Sequence, residues 1–331
     1  MDHSKIKIMK KLFFILTVLT GVFIQAQSPV MLNGALSVKG NRIVNQKGVP
    51  VSFAGNSFFW SNTGWEGAPF YNKHVVKWLH DDWKATIVRC AMAADPNVEG
   101  GYLSDPEANE ARVDRVVKAA IKYGLYVIID WHSHHAEDNQ AEAIEFFSKM
   151  AKKYGKYPNV IYEIYNEPLK ISWNDVIRPY SEKVIAGIRK IDPDNLIIAG
   201  TPTWSQDVDV ASENPIEGYK NIAYALHFYA GTHKENLRKK VQTALDNGIA
   251  IMVTEWGTVN ANGDGKPAKE SVVKWMAFMK KNQLSHCNWA VDDKKEGASI
   301  VKPGASTKGE WKDSDLTESG KLVKHYISSW K

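Results

Sequence analysis

Three glutamates of this sequence lie inside or directly after strongly hydrophobic segments. Glu163 and Glu167 belong to the segment VIYEIYNEP, and Glu255 follows the hydrophobic run of IAIMVTEW. The β-branched and aromatic residues predict buried strands, and Pro168 ends the first of them because proline cannot donate a ladder hydrogen bond. Four residues of strand span about 13 Å. We therefore expect Glu163 to be a buried, paired residue and Glu167 to lie at the end of its strand.

Two carboxylates at strand ends could carry out one particular reaction if they face each other. A protonated acid can protonate a leaving oxygen, and an ionised carboxylate can bond to the carbon that this oxygen leaves. Like charges held close together do not both ionise easily, so one carboxyl group of such a pair stays protonated near neutral pH. This pair is the minimal equipment for glycosidic bond cleavage. A lone glutamate at a strand end is more often a solvated loop residue, so the elements around Glu167 and Glu255 must decide.

Short β-rich segments alternate with helix-like segments along the chain after its first 26 residues. The helix-like segments have helical periodicity, and several end in Gly or Asn, as helices often do. Eight such units without an internal linker predict the α/β class and a single (β/α)₈ TIM barrel. An open doubly wound sheet is the alternative, but the Gly-x-Gly-x-x-Gly turn of its nucleotide-binding forms is missing after the first strand. The predicted strands are residues 51–57, 85–91, 125–132, 160–166, 195–201, 222–229, 249–256 and 286–291.

Polar or aromatic residues stand at nearly every predicted strand end. In a TIM barrel all eight C-terminal strand ends face one mouth, where the active sites of this fold lie. The fourth and seventh strands lie roughly across that mouth, so their two glutamates can face each other over a substrate. The residues at the strand ends are Asn56, Arg89, Asp130 with His132, Asn166 with Glu167, Thr201 followed by Trp204, His227 with Tyr229, Glu255 and Trp289.

The neighbours of the two glutamates suggest different tasks for them. Arg89 opposite Glu255 would keep that carboxylate anionic and aimed, as a nucleophile requires, and Tyr229 could donate to the same group. Asn166, beside Glu167, is placed to bind a sugar hydroxyl near the reacting carbon. A barrel that binds sugars without catalysis is the alternative from another class. Such a barrel would need the tryptophans, but it would not need the polar set Arg89, Asn166, Glu167 and Glu255.

The segment DWHSHHAED is rich in residues that can bind metals, and a His-x-His at a barrel strand end binds a metal in other hydrolases. Such sites need further His, Lys and Asp at later strand ends, and only His227 meets that need here. We therefore predict neither a metal nor another cofactor. His132 and His227 are expected to donate to sugar hydroxyls or to make structural hydrogen bonds.

Composition limits the classes of partner. The chain has 331 residues, 44% of them apolar and 24% charged, with 12 Trp and 13 Tyr, some of which could form flat platforms for sugars. Its formal charge of +5 falls to about +2 without residues 1–26, so nothing favours binding to nucleic acid or to an anionic membrane. Two cysteines, Cys90 and Cys287, cannot form a disulfide framework, and their predicted strand positions are too far apart for a single bridge. We expect both to be reduced.

The first residues predict export. Four lysines precede an apolar run from Leu12 to Ile24 that is too short to span a bilayer comfortably. Residues 1–26 are therefore predicted to be a secretory signal peptide cleaved near Ala26, with an uncleaved anchor as the alternative. Residues 27–331 would then be a single catalytic domain, secreted to the cell exterior or the periplasm, with no membrane contact after cleavage.

An ordered set of motifs between Leu36 and Trp330 resembles the cellulases of glycoside hydrolase family 5, especially the secreted bacterial endoglucanases. The resemblance implies a retaining endo-β-1,4-glucanase that acts on cellulose and related β-glucans, and we expect a monomer. An endo-acting β-mannanase or another β-glycanase on the same barrel stays open, because the discriminating contacts lie in loops. The motifs are AGNSFFWSNTGW, IVRCAM, VIIDWHSHHAE, YPNVIYEIYNEP, DPDNLIIAGTPTWSQDVD, LHFYAGTH, VTEWGT and NWAVDDKKEGAS.

The same resemblance implies roles for individual residues. Glu167 in Asn-Glu-Pro matches the general acid/base, and Glu255 in Thr-Glu-Trp-Gly matches the nucleophile. No linker or carbohydrate-binding module is expected after Lys331, and Asp292 and Asp293 are left without a role. The residues matching the surroundings of the cleaved sugar are Arg89, His132, Asn166, His227, Tyr229 and Trp289. Those matching contacts to neighbouring sugars are Trp65, Trp204, Lys294 and Glu296.

Overall fold

The computed structural model describes residues 27–330. The predicted signal peptide lies outside these residues. Within residues 27–330, no helix is both long and apolar enough to cross a membrane.

Eight parallel strands close into a barrel, which confirms the predicted TIM-barrel fold. Their order around the ring follows the chain, and the last strand pairs with the first. An antiparallel hairpin, β1 (Ser37–Lys39) and β2 (Arg42–Val44), precedes them. The barrel strands are β3 (Ala54–Phe58), β4 (Ile87–Ala93), β5 (Tyr126–His132), β6 (Val160–Glu163), β7 (Ile197–Ala199), β8 (Ile222–Tyr229), β9 (Ile251–Gly257) and β10 (His286–Val291).

Strand β6 is shorter than its sequence predicts. It ends at Glu163 rather than at residue 166, because its register with β7 covers only Tyr162 and Glu163. Residues 164–168 continue as a loop at the mouth of the barrel, where the backbone N–H groups of Ile164 and Asn166 still donate to β7 and β5. Glu167 therefore lies on this loop, whereas Glu255 lies inside β9.

Helices surround the barrel and follow its strands. The longest helix shows how the sequence determines where a helix begins and ends. Asp105 accepts a hydrogen bond from the first turn, Pro106 begins the helix, and Gly124 ends it in a left-handed conformation with φ of 69°. The helices are α1 (Pro29–Asn33), α2 (Lys73–Asp81), α3 (Pro106–Tyr123), α4 (Gln140–Tyr154), α5 (Arg178–Arg189), α6 (Pro202–Ser205), α7 (Val208–Glu213), α8 (Glu235–Asp246), α9 (Lys269–Asn282) and α10 (Glu318–Ser328).

Two apolar layers hold the two faces of the sheet. The larger one packs the outward side chains of the strands against the helices, and the smaller one fills the barrel interior. Cys90 belongs to the outer layer and Cys287 to the inner one, and both are buried free thiols, as predicted. Side chains of a strand alternate between its faces. The residue two positions after Ile87, Ile128 or Ile161 therefore also points inward, and at these three positions it is a polar residue.

Candidate active site

One arginine joins the polar side chains that lie directly above the inner apolar layer. Arg89 is fully buried, and its Nε and Nη2 donate to the two oxygens of Glu163 at 2.6 and 3.3 Å. Nη2 also lies 2.9 Å from Asp130 Oδ2 and donates to Asn166 Oδ1 at 2.7 Å, while Nη1 donates to Glu255 Oε2 at 3.1 Å. Burial lowers the pKa of Arg89, but the three carboxylates outweigh it and raise that pKa well above its usual value. Glu163 is thus buried and paired, as its depth predicts.

Glu255 receives one hydrogen bond on each carboxylate oxygen. Tyr229 donates its hydroxyl to Oε1 at 2.7 Å, and Arg89 donates to Oε2 at 3.1 Å. Burial, together with the charge of Glu167, raises the pKa of Glu255 above its usual value, although His227, Arg89 and Tyr229 act in the opposite direction. Burial also raises the pKa of Tyr229 well above its usual value, so this phenol stays protonated and remains a donor. The carboxylate of Glu255 is held in one orientation from both sides.

Glu167 is held by two histidines instead. His227 Nδ1 lies 3.0 Å from Oε1, and His134 Nε2 lies 3.2 Å from Oε2. Burial by itself raises the pKa of Glu167, but the hydrogen bonds from His134 and His227 outweigh it and hold the pKa at about 2. Burial lowers the pKa of His227, but Glu255, Glu163 and Glu167 together raise it to about 9. In the free site Glu167 is therefore ionised, although its side chain is largely buried, with only 14% exposed.

The sequence reasoning missed His134 and its partner Asp95. The Nδ1 atom of His134 lies 2.9 Å from Asp95 Oδ2, and the other oxygen of Asp95 accepts from the backbone N–H of His134 at 2.9 Å. Burial lowers the pKa of His134, but Asp95 and Glu167 raise it to about 10. The signal was present in the His-x-His at the end of the third predicted strand: since side chains alternate at the end of a strand, His134 shares a face with His132.

His132 has a different environment from that of His134. It is buried, its Nδ1 lies 2.6 Å from Asp130 Oδ2, and its ring stacks on Trp289 with 5.0 Å between centroids and an interplanar angle of 3°. Burial, followed by the charge of Arg89, holds the pKa of His132 well below its usual value. His132 is a neutral group at the wall formed by Trp289.

A cleft runs across the mouth, with the two glutamates at its centre. One half has a volume of about 370 Å³ and the other about 440 Å³, and Glu167, Tyr229 and Glu255 line both. Trp65 in the first half and Trp204 in the second are 43% and 37% exposed. Eleven of the twelve predicted site residues line this cleft, and Arg89 lies beneath it. The first half contains Trp65, His132, Asn166, Trp289, Lys294 and Glu296, and the second contains Trp204 and His227.

Trp204 lies on a strained turn that the sequence does not reveal. Thr203, Trp204 and Ser205 have φ values of 58°, 56° and 53°, a left-handed region that costs a non-glycine residue about 1–3 kcal/mol. The turn is held by the loop that carries Glu167. The backbone N–H of Trp204 donates to Pro168 O at 2.8 Å, and Ser205 Oγ donates to Asn166 O at 2.8 Å. These bonds fix the backbone that carries Trp204 relative to the Asn-Glu-Pro loop.

The histidines of the segment DWHSHHAED contact carboxylates or face solvent. His132 binds Asp130, His134 bridges Asp95 and Glu167, and His135 is exposed. Among residues 27–330, one group of three could in principle hold an ion: Glu167, His227 and Glu255, with ligand atoms within 4.8 Å of one another. Independence of any metal stays a prediction.

Comparison with known proteins covers most of the chain. The family model described as "Cellulase (glycosyl hydrolase family 5)" matches residues 44–295. Endoglucanase Z of Dickeya dadantii (strain 3937) is 57% identical over 295 residues, which are 89% of this chain and 66% of that protein. The chain thus spans slightly less than two thirds of the length of this relative.

Solved structures show the same barrel. A protein from Cytophaga hutchinsonii matches with a TM-score of 0.87 and 51% identity, over 91% of this chain and 96% of that one. The catalytic domain of the endoglucanase Cel5A of Thermobifida fusca, solved in complex with cellotetraose, matches with a TM-score of 0.85 and 31% identity, over 92% of this chain and 100% of that one. The chain therefore belongs to the cellulase family of glycosyl hydrolases, family 5, and is a glycoside hydrolase.

Proposed function

We propose that this protein is an endo-β-1,4-glucanase that cleaves internal bonds of cellulose and related β-glucans with retention of anomeric configuration. The observation that carries the proposal is the position of the two carboxylates: they lie at the middle of a cleft, with sugar-sized hollows and an exposed tryptophan on each side. A chain that continues in both directions fits such a cleft, whereas a pocket closed at one end would take only chain ends. The endoglucanase names of the relatives support the choice of substrate.

Glu255 is the proposed nucleophile. Its two hydrogen bonds, from Arg89 and Tyr229, aim the carboxylate and favour its anion without being able to protonate it at neutral pH. In the first step one of its oxygens bonds to the anomeric carbon while the bond to the leaving oxygen breaks. Retaining glycosidases hold their two carboxyl groups about 5–5.5 Å apart, and inverting ones about 6.5–9.5 Å apart. One carboxylate oxygen of Glu167 and one of Glu255 lie within 4.8 Å of each other, which supports retention.

Glu167 is the proposed general acid/base. In the first step it protonates the leaving oxygen, and in the second it removes a proton from the water that releases the sugar from Glu255. Its position on a loop at the mouth, partly exposed, gives water access to it. Asn166 next to it has its side-chain oxygen fixed by Arg89, so its amide N–H groups are free to bind a sugar hydroxyl near the reacting carbon.

The remaining predicted residues would bind the sugars on either side of the cleaved bond. Trp289, stacked on the neutral ring of His132, offers an indole face to the sugar next to the carboxylates. Trp65 and Trp204 are platforms for sugars further along the cleft. Lys294 and Glu296 form an ion pair at 2.7 Å, and both line the first half, where they would bind sugar hydroxyls.

The test compares two measurements on carboxymethylcellulose. An endo-acting enzyme should lower the viscosity of the solution much faster than it releases reducing ends, because each internal cut shortens long chains. Glu255→Ala, purified in the same way, is the control for contaminating activity. Steady release of one sugar with little loss of viscosity would contradict endo action.

A second measurement addresses the choice of glycan. We expect higher kcat/KM on carboxymethylcellulose and mixed-linkage β-glucan than on mannan or xylan. A higher kcat/KM on mannan would favour the β-mannanase alternative on the same barrel while leaving the assignment of the two glutamates intact.

Export is part of the same proposal. The basic and apolar start of the chain supports cleavage near Ala26, which would release a protein that begins near residue 27, and we expect this protein to be a monomer. The full chain should be expressed in a bacterium and the secreted protein analysed by N-terminal sequencing and light scattering. A product that keeps residues 1–26 would favour the anchor alternative, and a dimer mass would contradict the monomer.

A further inference from the structure

The contacts of Glu167 raise a question about its proton. A general acid must hold a proton when the leaving oxygen departs. In the free site, however, the two histidines keep the pKa of Glu167 at about 2, so the carboxyl group is ionised near neutral pH. The proton that Glu167 delivers must therefore be held close by, on a group that can return it.

Two imidazoles touch Glu167, and they differ in how their second nitrogen is held. The Nε2 atom of His227 lies 2.8 Å from Thr254 Oγ1 and 3.6 Å from Glu163 Oε1, and this ring is 1% exposed. His134 is 27% exposed, and its second nitrogen faces Asp95. Only His134 therefore combines contact with Glu167, a carboxylate on its far side and access to water.

We propose that Asp95, His134 and Glu167 form a proton-sharing triad, in which His134 Nε2 stores the proton that Glu167 gives to the leaving oxygen. The proposal rests on the assignment of Glu167 as the acid/base. His134 acts through Glu167 and is a positioning residue. Three contacts define the triad: 2.9 Å from Asp95 Oδ2 to Nδ1, 2.9 Å from Asp95 Oδ1 to the His134 backbone nitrogen, and 3.2 Å from Nε2 to Glu167 Oε2.

The protons balance over the two steps. In the first, the proton on His134 Nε2 moves to Glu167, and Glu167 protonates the leaving oxygen as Glu255 bonds to the anomeric carbon. His134 is then neutral and keeps its Nδ1–H on Asp95. In the second, Glu167 accepts a proton from water as the water oxygen replaces Glu255 on that carbon. This proton moves back to His134 Nε2, and the triad returns to its starting state.

The surroundings of His134 keep its ring in one plane. Trp60 stacks on it with 5.8 Å between centroids and an interplanar angle of 23°, and the backbone oxygen of His134 accepts from Tyr165. Asp95 is fixed in turn by Ser133, whose hydroxyl donates to it at 2.7 Å. The titratable groups that face His134 or Glu167 are Asp95, His132, Tyr165, His227, Tyr229, His233 and Glu255.

The first test is the pH profile of His134→Gln. Glutamine can still donate a hydrogen bond to Glu167 but cannot store a proton. In the wild type the basic limb of kcat/KM on glucan should reflect loss of the shared proton from His134, whose pKa is about 10. In the variant the proton must stay on Glu167 alone. The basic limb should therefore move to lower pH by at least about one unit, which is a tenfold loss of activity on that limb.

The substrate separates this role from a structural one. An aryl cellobioside with an acidic phenol needs little protonation of its leaving group, so the pH dependence of its first step, measured as a burst, should be the same in His134→Gln and the wild type. Asp95→Asn should shift the basic limb on glucan in the same direction by a smaller amount, because the asparagine no longer stabilises a charged imidazole. His135→Gln, an exposed neighbour in the same segment, is the matched control and should leave the profile unchanged.

Each outcome decides the proposal. An unchanged basic limb in a folded His134→Gln, or an equal loss on both substrates at every pH, would overturn the triad alone. If His134→Gln does not fold, Asp95→Asn gives the same decision. Loss of both substrates in Glu167→Ala would overturn the assignment of Glu167 and the triad together. The triad would be established if His134→Gln shifts the basic limb of the pH profile on glucan but leaves the pH dependence of the burst on the aryl cellobioside unchanged.

Discussion

The two glutamates of the cleft differ most in the kind of partner that holds them. Glu255 contacts Arg89 and Tyr229, groups that keep the same charge throughout the neutral range. Glu167 contacts His134 and His227, imidazoles that can exchange a proton with a carboxylate, although the carboxylates around them raise their pKa values to about 10 and about 9. A nucleophile must remain an anion, whereas an acid/base must change its charge twice in each turnover. The partners match these two requirements.

The two glutamates also differ in the backbone that carries them: one lies in a strand and the other on a loop. Glu255 lies inside β9, and its partner Arg89 lies inside β4, so both are fixed by the register of the barrel. Glu167 lies on the loop after β6, and its backbone N–H donates to Ser133 O, on the segment after β5. The nucleophile side is therefore built into the sheet, and the acid/base side is built from loops that rest on one another.

The largest expected effect comes from removing the nucleophile. Glu255→Ala should lose at least about 10⁴-fold in kcat on both glucan and an aryl cellobioside, because no protonation can replace a missing nucleophile. The measurement is initial rate on the two substrates, with the exposed Glu142→Ala as a control for the expression and handling of the variant. Retained activity on the aryl cellobioside would contradict the role of Glu255.

Removing the acid/base should separate the two substrates. Glu167→Ala should lose about 10²–10⁴-fold on glucan, because a sugar alkoxide leaves poorly without a proton. On the aryl cellobioside the first step should survive, and a covalent glycosyl-enzyme should accumulate as a burst that azide relieves. If Glu255→Ala shows this burst and Glu167→Ala loses everything, the two roles are reversed.

A smaller loss of activity is expected when Arg89, the arginine that binds Glu255, is replaced by lysine. In Arg89→Lys one ammonium group cannot reproduce the hydrogen bonds to Glu163, Asn166 and Glu255, so kcat should fall about 10²-fold. Breaking the buried pairs should also lower the free energy of unfolding by about 3–5 kcal/mol, measured by denaturant titration. Arg178→Lys, in an ion pair nearer the surface, is the control. Equal stability of the two variants would show that Arg89 does not organise the floor of the site.

The smallest effects should come from the two exposed tryptophans. Trp65→Ala and Trp204→Ala should each raise KM for long glucans about three- to tenfold, through loss of an aromatic contact of about 0.5–1.5 kcal/mol. An aryl cellobioside places its two sugars in one half of the cleft. Only one of the two substitutions should therefore raise KM for it, and that result identifies the half that binds the non-reducing side. Equal effects of both would contradict a cleft divided at the carboxylates.

Much of this molecule can be read from local sequence. The eight predicted strands match the barrel strands to within a few residues, because alternation and hydrophobic runs are properties of neighbouring residues. Eleven predicted residues line the cleft: most stand at a strand end, and the fold brings all strand ends to one mouth, whereas Trp65, Lys294 and Glu296 were identified by the family resemblance. Fold, cleft and the two glutamates thus follow from the sequence and its family resemblance.

The sequence predicts Arg89 and Tyr229 as partners of Glu255, but the partners of Glu167 were decided by the tertiary structure. Asp95, His134 and Glu167 are far apart in the chain and follow three consecutive strands, β4, β5 and β6. Each of these segments on its own is an ordinary loop. Their side chains meet only because the register of these strands brings the three loops side by side at the mouth. A hydrogen bond of about 3 Å tolerates only a few tenths of an ångström of error. Hydrophobic patterning places a strand end only to within a residue or more, so the histidine partners of Glu167 required the folded barrel.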